Sequence, residues 1–152
     1  DAVICSAVLE HVPDPFRCAR EISRILKPGG ELFCSVPFLQ PFHAYPHHYF
    51  NMTYRGLARL FEEELVIEDQ RVYGSLLPIS ALTWILQRWA DGLSEATRTE
   101  FHKMTVGELL RGRDAFLNAP FVRELSDRKN FELATGTVLL ARKPAREQTG
   151  KR

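Results

Sequence analysis

The chain opens on a short unbroken apolar run, Ala2-Val3-Ile4-Cys5, the pattern of a parallel strand covered on both faces. Asp14-Pro15 then marks a helix start. The Asp carboxylate can accept from an orphan N–H, and proline at the first helical position gives up nothing. Cys18, Ile22, Ile25 and Leu26 follow at helical spacing, with Arg17, Arg20, Glu21 and Arg24 largely on the other side. Lys27-Pro28-Gly29-Gly30 ends the helix with a cation, a breaker and two permissive residues. Leu32 to Val36 predicts a second strand, stopped by Pro37. The pattern is a parallel β-α-β unit with the usual right-handed crossover. It begins in mid-strand, which leads the reading to expect further strands before it.

Beyond Pro37 the pattern becomes irregular and then helical. Phe38 to Phe50 is a loop rich in aromatics, prolines and histidines. Thr53 caps a helix carrying Leu57, Leu60 and Phe61, which ends near Glu62-Glu63-Glu64. Leu65 to Tyr73 reads as a strand with Val66, Ile67 and Val72, and Phe131 to Arg142 as a final strand with Leu133, Val138, Leu139 and Leu140. Between them, Pro78 to about Leu125 is helical in pattern, longer than a simple crossover needs. The expected organisation is one α/β domain over residues 1–142 with a helical insertion at about 78–125. A polar tail occupies residues 143–152.

Composition narrows the classes. In 152 residues, 45% hydrophobic and 26% charged, there is room for one ordinary core. Twenty basic against nineteen acidic residues give a net charge of +1, no footprint for nucleic acid or an anionic membrane. Cys5, Cys18 and Cys34 form no CxxC motif, which suits reduced thiols in a cytoplasmic protein. No apolar run reaches the roughly 18 residues of a membrane span.

The motifs carry more. Val8-Leu9-Glu10-His11-Val12-Pro13-Asp14-Pro15, followed by Glu21, Arg24-Ile25-Leu26 and Lys27-Pro28-Gly29-Gly30, resembles class I S-adenosylmethionine-dependent methyltransferases of the type 11 group. Pro37-Phe38, Pro46-His47-His48-Tyr49-Phe50, Thr53 and Gly56-Leu57 are similar to the loop before the fifth helix of such enzymes. The resemblance implies a Rossmann-like sheet of order 3-2-1-4-5-7-6, with strands four to seven in this chain and the helical insertion before the last. It also implies that the glycine-rich turn of the cofactor site lies in the first three strands. No GxGxG occurs in the 152 residues, so half of the S-adenosyl-L-methionine site is expected here and the isolated chain is expected to be inactive.

Ligands of open α/β sheets sit beyond the carboxyl ends of strands where the order reverses. By resemblance, Ser6, Ala7 and Val8 leave the fourth strand at that point and line the cofactor pocket. Val8 and its neighbour Leu9 have a plainer alternative as core. Methyl transfer is an in-line displacement that mainly needs positioning, and a hydroxyl acceptor also needs a base, a role suited to histidine. Glu10 and His11 are the catalytic candidates, or else they bond the following turn. Some quinone-pathway O-methyltransferases with a similar motif hold a divalent metal through an extra Glu three residues before the Glu-His pair. Ala7 stands at that place here, so no metal is expected.

His43, His47 and His48 suggest a metal cluster at first sight. Pro41 and Pro46 rule out a regular helix presenting His43 and His47 on one face, and no cysteine or carboxylate is expected nearby to complete a ligand set. Phe38, His43, His47 and Tyr49 are instead expected to wall an acceptor site, with an ordinary packed loop as the alternative. Leu76 to Leu93, with Trp84 and Trp89, can cover an acceptor pocket, pack on the core, form a dimer contact or touch a membrane. Its sparse charge, Arg88 and Asp91, weighs against the membrane. Two function classes follow: a methyltransferase acting, most simply at oxygen, on a small-molecule, glycan or lipid-precursor acceptor, and a non-catalytic remnant or interaction protein.

Overall fold

A computed structural model describes residues 1–142. Its centre is the expected β-α-β unit: β1 (Ala2–Ser6), α1 (Pro15–Ile25) and β2 (Glu31–Ser35). The two strands pair in parallel, from Ala2 opposite Glu31 to Ser6 opposite Ser35. The Asp14 side chain accepts the Arg17 N–H at 2.9 Å with Pro15 at the first helical position, so the helix starts where its cap dictates. The exit is equally local. Gly29 has φ +75°, and a Cβ on Gly30 would lie 2.9 Å from the Lys27 carbonyl oxygen and 3.1 Å from that of Asp1. Only a residue without a side chain lets the turn close onto β2 there.

One hydrophobic cluster unites these elements with α2 (Tyr54–Phe61), whose N-cap is Thr53, accepting from the Gly56 N–H. Cys5, Leu9, Ala19, Ile22, Leu60 and Phe61 are its buried members. The buried face of α1 is Pro15, Ala19 and Ile22, while Ile25, expected on that face, is largely exposed. All three cysteines are free thiols. Cys5 and Cys34 face each other in register, and burial pushes both thiols above their ordinary range, which makes them inert packing groups.

The helical region is a chain of short pieces. It comprises α3 (Pro78–Ala90), α4 (Glu95–Lys103), α5 (Val106–Leu109), α6 (Pro120–Arg123) and α7 (Asp127–Leu133). Ser94 caps α4, and Thr105 and Glu108 form a reciprocal capping box on α5. Gly112 at φ +92° and Pro120 at the start of α6 break the remainder. A second cluster gathers Ala90, Leu93 and Phe101, with Trp89 and Phe121 packed against them.

Both later strands expected from the sequence are absent, and the sheet among the described residues has two strands rather than four. Leu65 to Tyr73 is unpaired coil. Its apolar Val66 and Ile67 are adjacent rather than alternating, and Glu68 to Arg71 separates them from Val72, so neither face can bury a stripe. At the other segment, Ser126 accepts from the Lys129 N–H and its cap draws Phe131 to Leu133 into α7. Val138, Leu139 and Leu140 then have no ladder partner and are 97%, 89% and 97% exposed. The polar tail assigned to residues 143–152 lies outside the described residues.

Candidate functional site

At the carboxyl ends of β1 and β2 the chain folds around a cleft of about 210 Å³. Ser6, Ala7 and Glu10 line it from the first strand, and Ser35, Val36, Pro37 and Gln40 from the second. His43, Tyr73, Ser75 and Leu76 complete the wall. Ser6 and Ser35 close the sheet with a 2.8 Å hydroxyl–hydroxyl bond. Ala7 donates its N–H to the Ser35 carbonyl at 3.0 Å and takes φ +52°. That left-handed conformation is uncommon for a non-glycine residue, and it turns the chain sharply off the strand into a single helical turn, Leu9–His11.

This turn sends alternate residues to different places. Leu9 is completely buried in the core. Glu10 is 1% exposed, and its Oε2 has no hydrogen-bond partner. An unpaired buried acceptor costs about 1–3 kcal/mol, more when charged, which makes Glu10 a candidate site residue. The Glu10 main-chain oxygen is engaged: it accepts from the Tyr49 N–H at 2.7 Å and from Phe50 at 3.4 Å.

The histidine loop therefore docks on the turn rather than lying apart from it. His11 Nδ1 donates to the His47 carbonyl oxygen at 2.6 Å, and a nitrogen facing a carbonyl can only donate. Its Nε2 keeps the lone pair and lies 3.7 Å from Glu10 Oε1. His43 repeats the arrangement, Nδ1 donating to the Pro41 carbonyl at 2.9 Å. His48 takes the opposite tautomer: its Nδ1 accepts the His43 N–H at 3.1 Å, so Nε2 donates to Asn51 Oδ1 at 3.0 Å. Burial, then the neighbouring His43, holds His48 below the ordinary histidine range, as a neutral strut requires. The ring of Trp84 from α3 stands 5.2 Å from that of His43, so α3 covers the loop.

The expected site residues thus separate into groups. Ser6, Ala7, Glu10 and His43 meet at the cleft, with His11 beside Glu10. His47 and Tyr49 pair at its outer side, 3.0 Å apart. Val8 and Phe38 are exposed and are not among the residues lining the cleft. The expectation that no carboxylate approaches the loop histidines needs correction. Glu10, His11 and His43 each bring a ligand-capable atom to within 4.8 Å of the others, because the loop folds back over a turn distant in sequence. His48, Asn51 and Ser35 were not singled out as site residues; the crowding of polar side chains between Pro41 and Thr53 was the available signal.

The opening segment can now be compared with known proteins. Residues 1–34 match the family model of a methyltransferase domain. The match is confined to this segment. The chain is 60% identical over 36 residues to a ubiquinone biosynthesis O-methyltransferase of Xanthomonas oryzae pv. oryzae, a stretch covering 24% of this chain and 15% of the relative. Proteins of the same description match at 57% in Xanthomonas campestris pv. campestris and 54% in Sodalis glossinidius, covering 24% of this chain and 15% and 14% of the relatives. The chain thus spans about 15% of the length of the curated relatives it matches. No solved structure matches it. The matched residues 1–34 include Ser6, Ala7, Glu10 and His11, and exclude the loop that supplies His43 and His47.

Proposed function

We propose that the protein is an S-adenosylmethionine-dependent methyltransferase whose reacting centre is the cleft at the carboxyl ends of β1 and β2. One observation carries this reading. The matched segment places Ser6, Ala7 and the buried Glu10 together at the end of two parallel strands, where open α/β sheets bind ligands. Ser6 and Ala7 are exposed at the lip of the cleft, and a methyl group is all that Ala7 adds, so backbone approach by the cofactor is open. They fit one wall of its site. Leu9 is consumed by the core.

When bound, the cofactor supplies an electrophilic methyl group on a sulfonium. The chain's own residues do the rest. His11 Nε2 carries a lone pair because Nδ1–H is committed to His47, and it accepts the proton of an acceptor hydroxyl. Glu10, 3.7 Å away, stabilises the imidazolium that results. His43 at the cleft, with His47 and Tyr49 paired beside it, bounds the acceptor side with rings suited to a small aromatic molecule, a glycan or a lipid precursor. Transfer to oxygen agrees with the printed names of the relatives, which are O-methyltransferases.

The test is His11→Ala in the full-length gene product. Turnover should fall by about 10²-fold or more while cofactor affinity stays within about twofold. Unchanged turnover removes His11 from the chemistry.

A further inference from the structure

Asn51 does not line the cleft, yet its side chain stands in the middle of a chain of three hydrogen bonds whose two ends do. Its Nδ2 donates to the Gln40 carbonyl at 2.8 Å, and its Oδ1 accepts from His48 Nε2 at 3.0 Å. His48 Nδ1 in turn accepts the His43 N–H at 3.1 Å. Gln40 and His43 are both cleft residues. We infer that Asn51 is a positioning residue: acting through His48, it sets the wall formed by Gln40 and His43 and holds the His47 carbonyl against His11.

The polarity of this chain has a single solution. A main-chain carbonyl only accepts and a main-chain N–H only donates, so both ends are fixed. The Gln40 carbonyl demands the amide nitrogen of Asn51, which turns Oδ1 toward His48. That oxygen demands a proton on Nε2. A neutral imidazole then offers Nδ1 as the acceptor that the His43 N–H needs. Asparagine supplies donor and acceptor from one planar amide, whereas aspartate lacks the donor and alanine lacks both.

The consequence reaches His11 through the backbone. The oxygen that accepts from His11 Nδ1 at 2.6 Å belongs to the peptide unit joining His47 to His48, so anchoring the His48 ring anchors the plane of that carbonyl. The ring is packed as well as bonded. Its centroid lies 4.2 Å from that of His43 and 5.5 Å from those of His11 and Phe42. A His48 of the other tautomer would set Nδ1–H against the His43 N–H and lose that bond. The lone pair on His11 Nε2 stays available only while Nδ1–H keeps its carbonyl, and Asn51 is the outermost residue that keeps it so. This role rests on the reading of the cleft as a reacting centre; the bond chain itself does not.

Long-range proton–nitrogen correlation spectra of the imidazoles read each tautomer directly in the 152-residue protein, at a pH above the histidine titration range. The parent should show His48 as a single Nε2–H tautomer and His11 as Nδ1–H, with His48→Gln and His11→Gln assigning the two signals. Asn51 is exposed, so Asn51→Ala leaves no cavity and should keep its far-ultraviolet circular dichroism. In that variant His48 should lose its single tautomer, and His11 should move toward an average of two forms. Asn51→Asp keeps the acceptor and should keep His48 as Nε2–H, which separates loss of the bond from loss of the side chain. An Asn51 of purely structural role would lower the melting temperature of Asn51→Ala and leave both tautomers as in the parent, and that result would overturn the proposal. A parent His48 protonated at Nδ1 would overturn it without any variant, as would an Asn51→Asp spectrum identical to that of Asn51→Ala. The spectra need neither methyl donor nor acceptor, so their outcome is separate from that of the methyl-transfer assay.

Discussion

His11 donates its Nδ1 proton to the main-chain oxygen of His47, 2.6 Å away across 36 residues of sequence. That bond fixes a tautomer on the turn after β1 by means of a loop after β2, and so joins the two strand ends into one site. The Tyr49 N–H to Glu10 carbonyl bond at 2.7 Å runs beside it. Together they hold the histidine loop on the turn while leaving the Glu10 carboxylate and the His11 Nε2 free.

Ala7 turns off β1 at φ +52°, a conformation that costs a non-glycine residue about 1–2 kcal/mol. Ala7→Gly is expected to stabilise the protein by about 0.5–1 kcal/mol after the added freedom of the unfolded chain is subtracted. Ala7→Val is expected to destabilise it by more than about 1 kcal/mol. Urea unfolding of the two variants measures both signs.

The Asp14 side chain accepts at the start of α1. Asp14→Ala should cost about 1 kcal/mol, within roughly 0.5–2, whereas Asp14→Ser should recover most of it. Thermal melts of the pair distinguish a capping role from a simple loss of surface charge, which serine would not restore.

Arg98 reaches back from α4 to donate from Nε to the Ala90 carbonyl and from a terminal nitrogen to that of Leu93. It thereby ties α4 to the end of α3, adding a second donor to the Ala90 carbonyl, which also accepts from the Leu93 N–H. Arg98→Ala should destabilise by about 1.5–3 kcal/mol. Arg98→Lys should recover only part of this, because an ammonium cannot reproduce the planar two-donor fork.

Stability on the acid side should report His48. Its pKa is lowered in the folded state by burial and by His43, so its neutral form contributes stability that is fully present above the unfolded value of about 6.5. That stability is lost as pH falls through the lower folded value. Melting temperature should therefore drop between about pH 7.5 and 5.5, and His48→Gln should shrink the drop. An equal drop in the variant would assign it to other groups.

The sequence made the β-α-β unit legible because its signals are local. Asp14, Pro15, Gly29 and Gly30 each act on backbone within a few residues, and the structure places all four where their chemistry predicts. Leu65–Tyr73 and Phe131–Arg142 misled because an apolar run becomes a strand only beside a partner, and pattern alone carries no partner. In the second case the Ser126 cap won over the β-type residues that follow. The site divides the same way. Ser6, Ala7, Glu10 and His11 were readable from one motif, whereas the meeting of Glu10 with His43 depends on the fold-back of a loop held by main-chain bonds. Such bonds leave no trace in residue type.

The central claim is that this cleft transfers methyl groups, and the most direct measurement is label transfer from methyl-labelled S-adenosylmethionine by the full-length gene product to a panel of phenolic, sugar and isoprenoid-precursor hydroxyls. The account predicts label on the oxygen of one acceptor class, with transfer reduced about 10²-fold or more in His11→Ala. Transfer that proceeds unchanged in His11→Ala, or an acceptor labelled only at carbon or nitrogen, would contradict it.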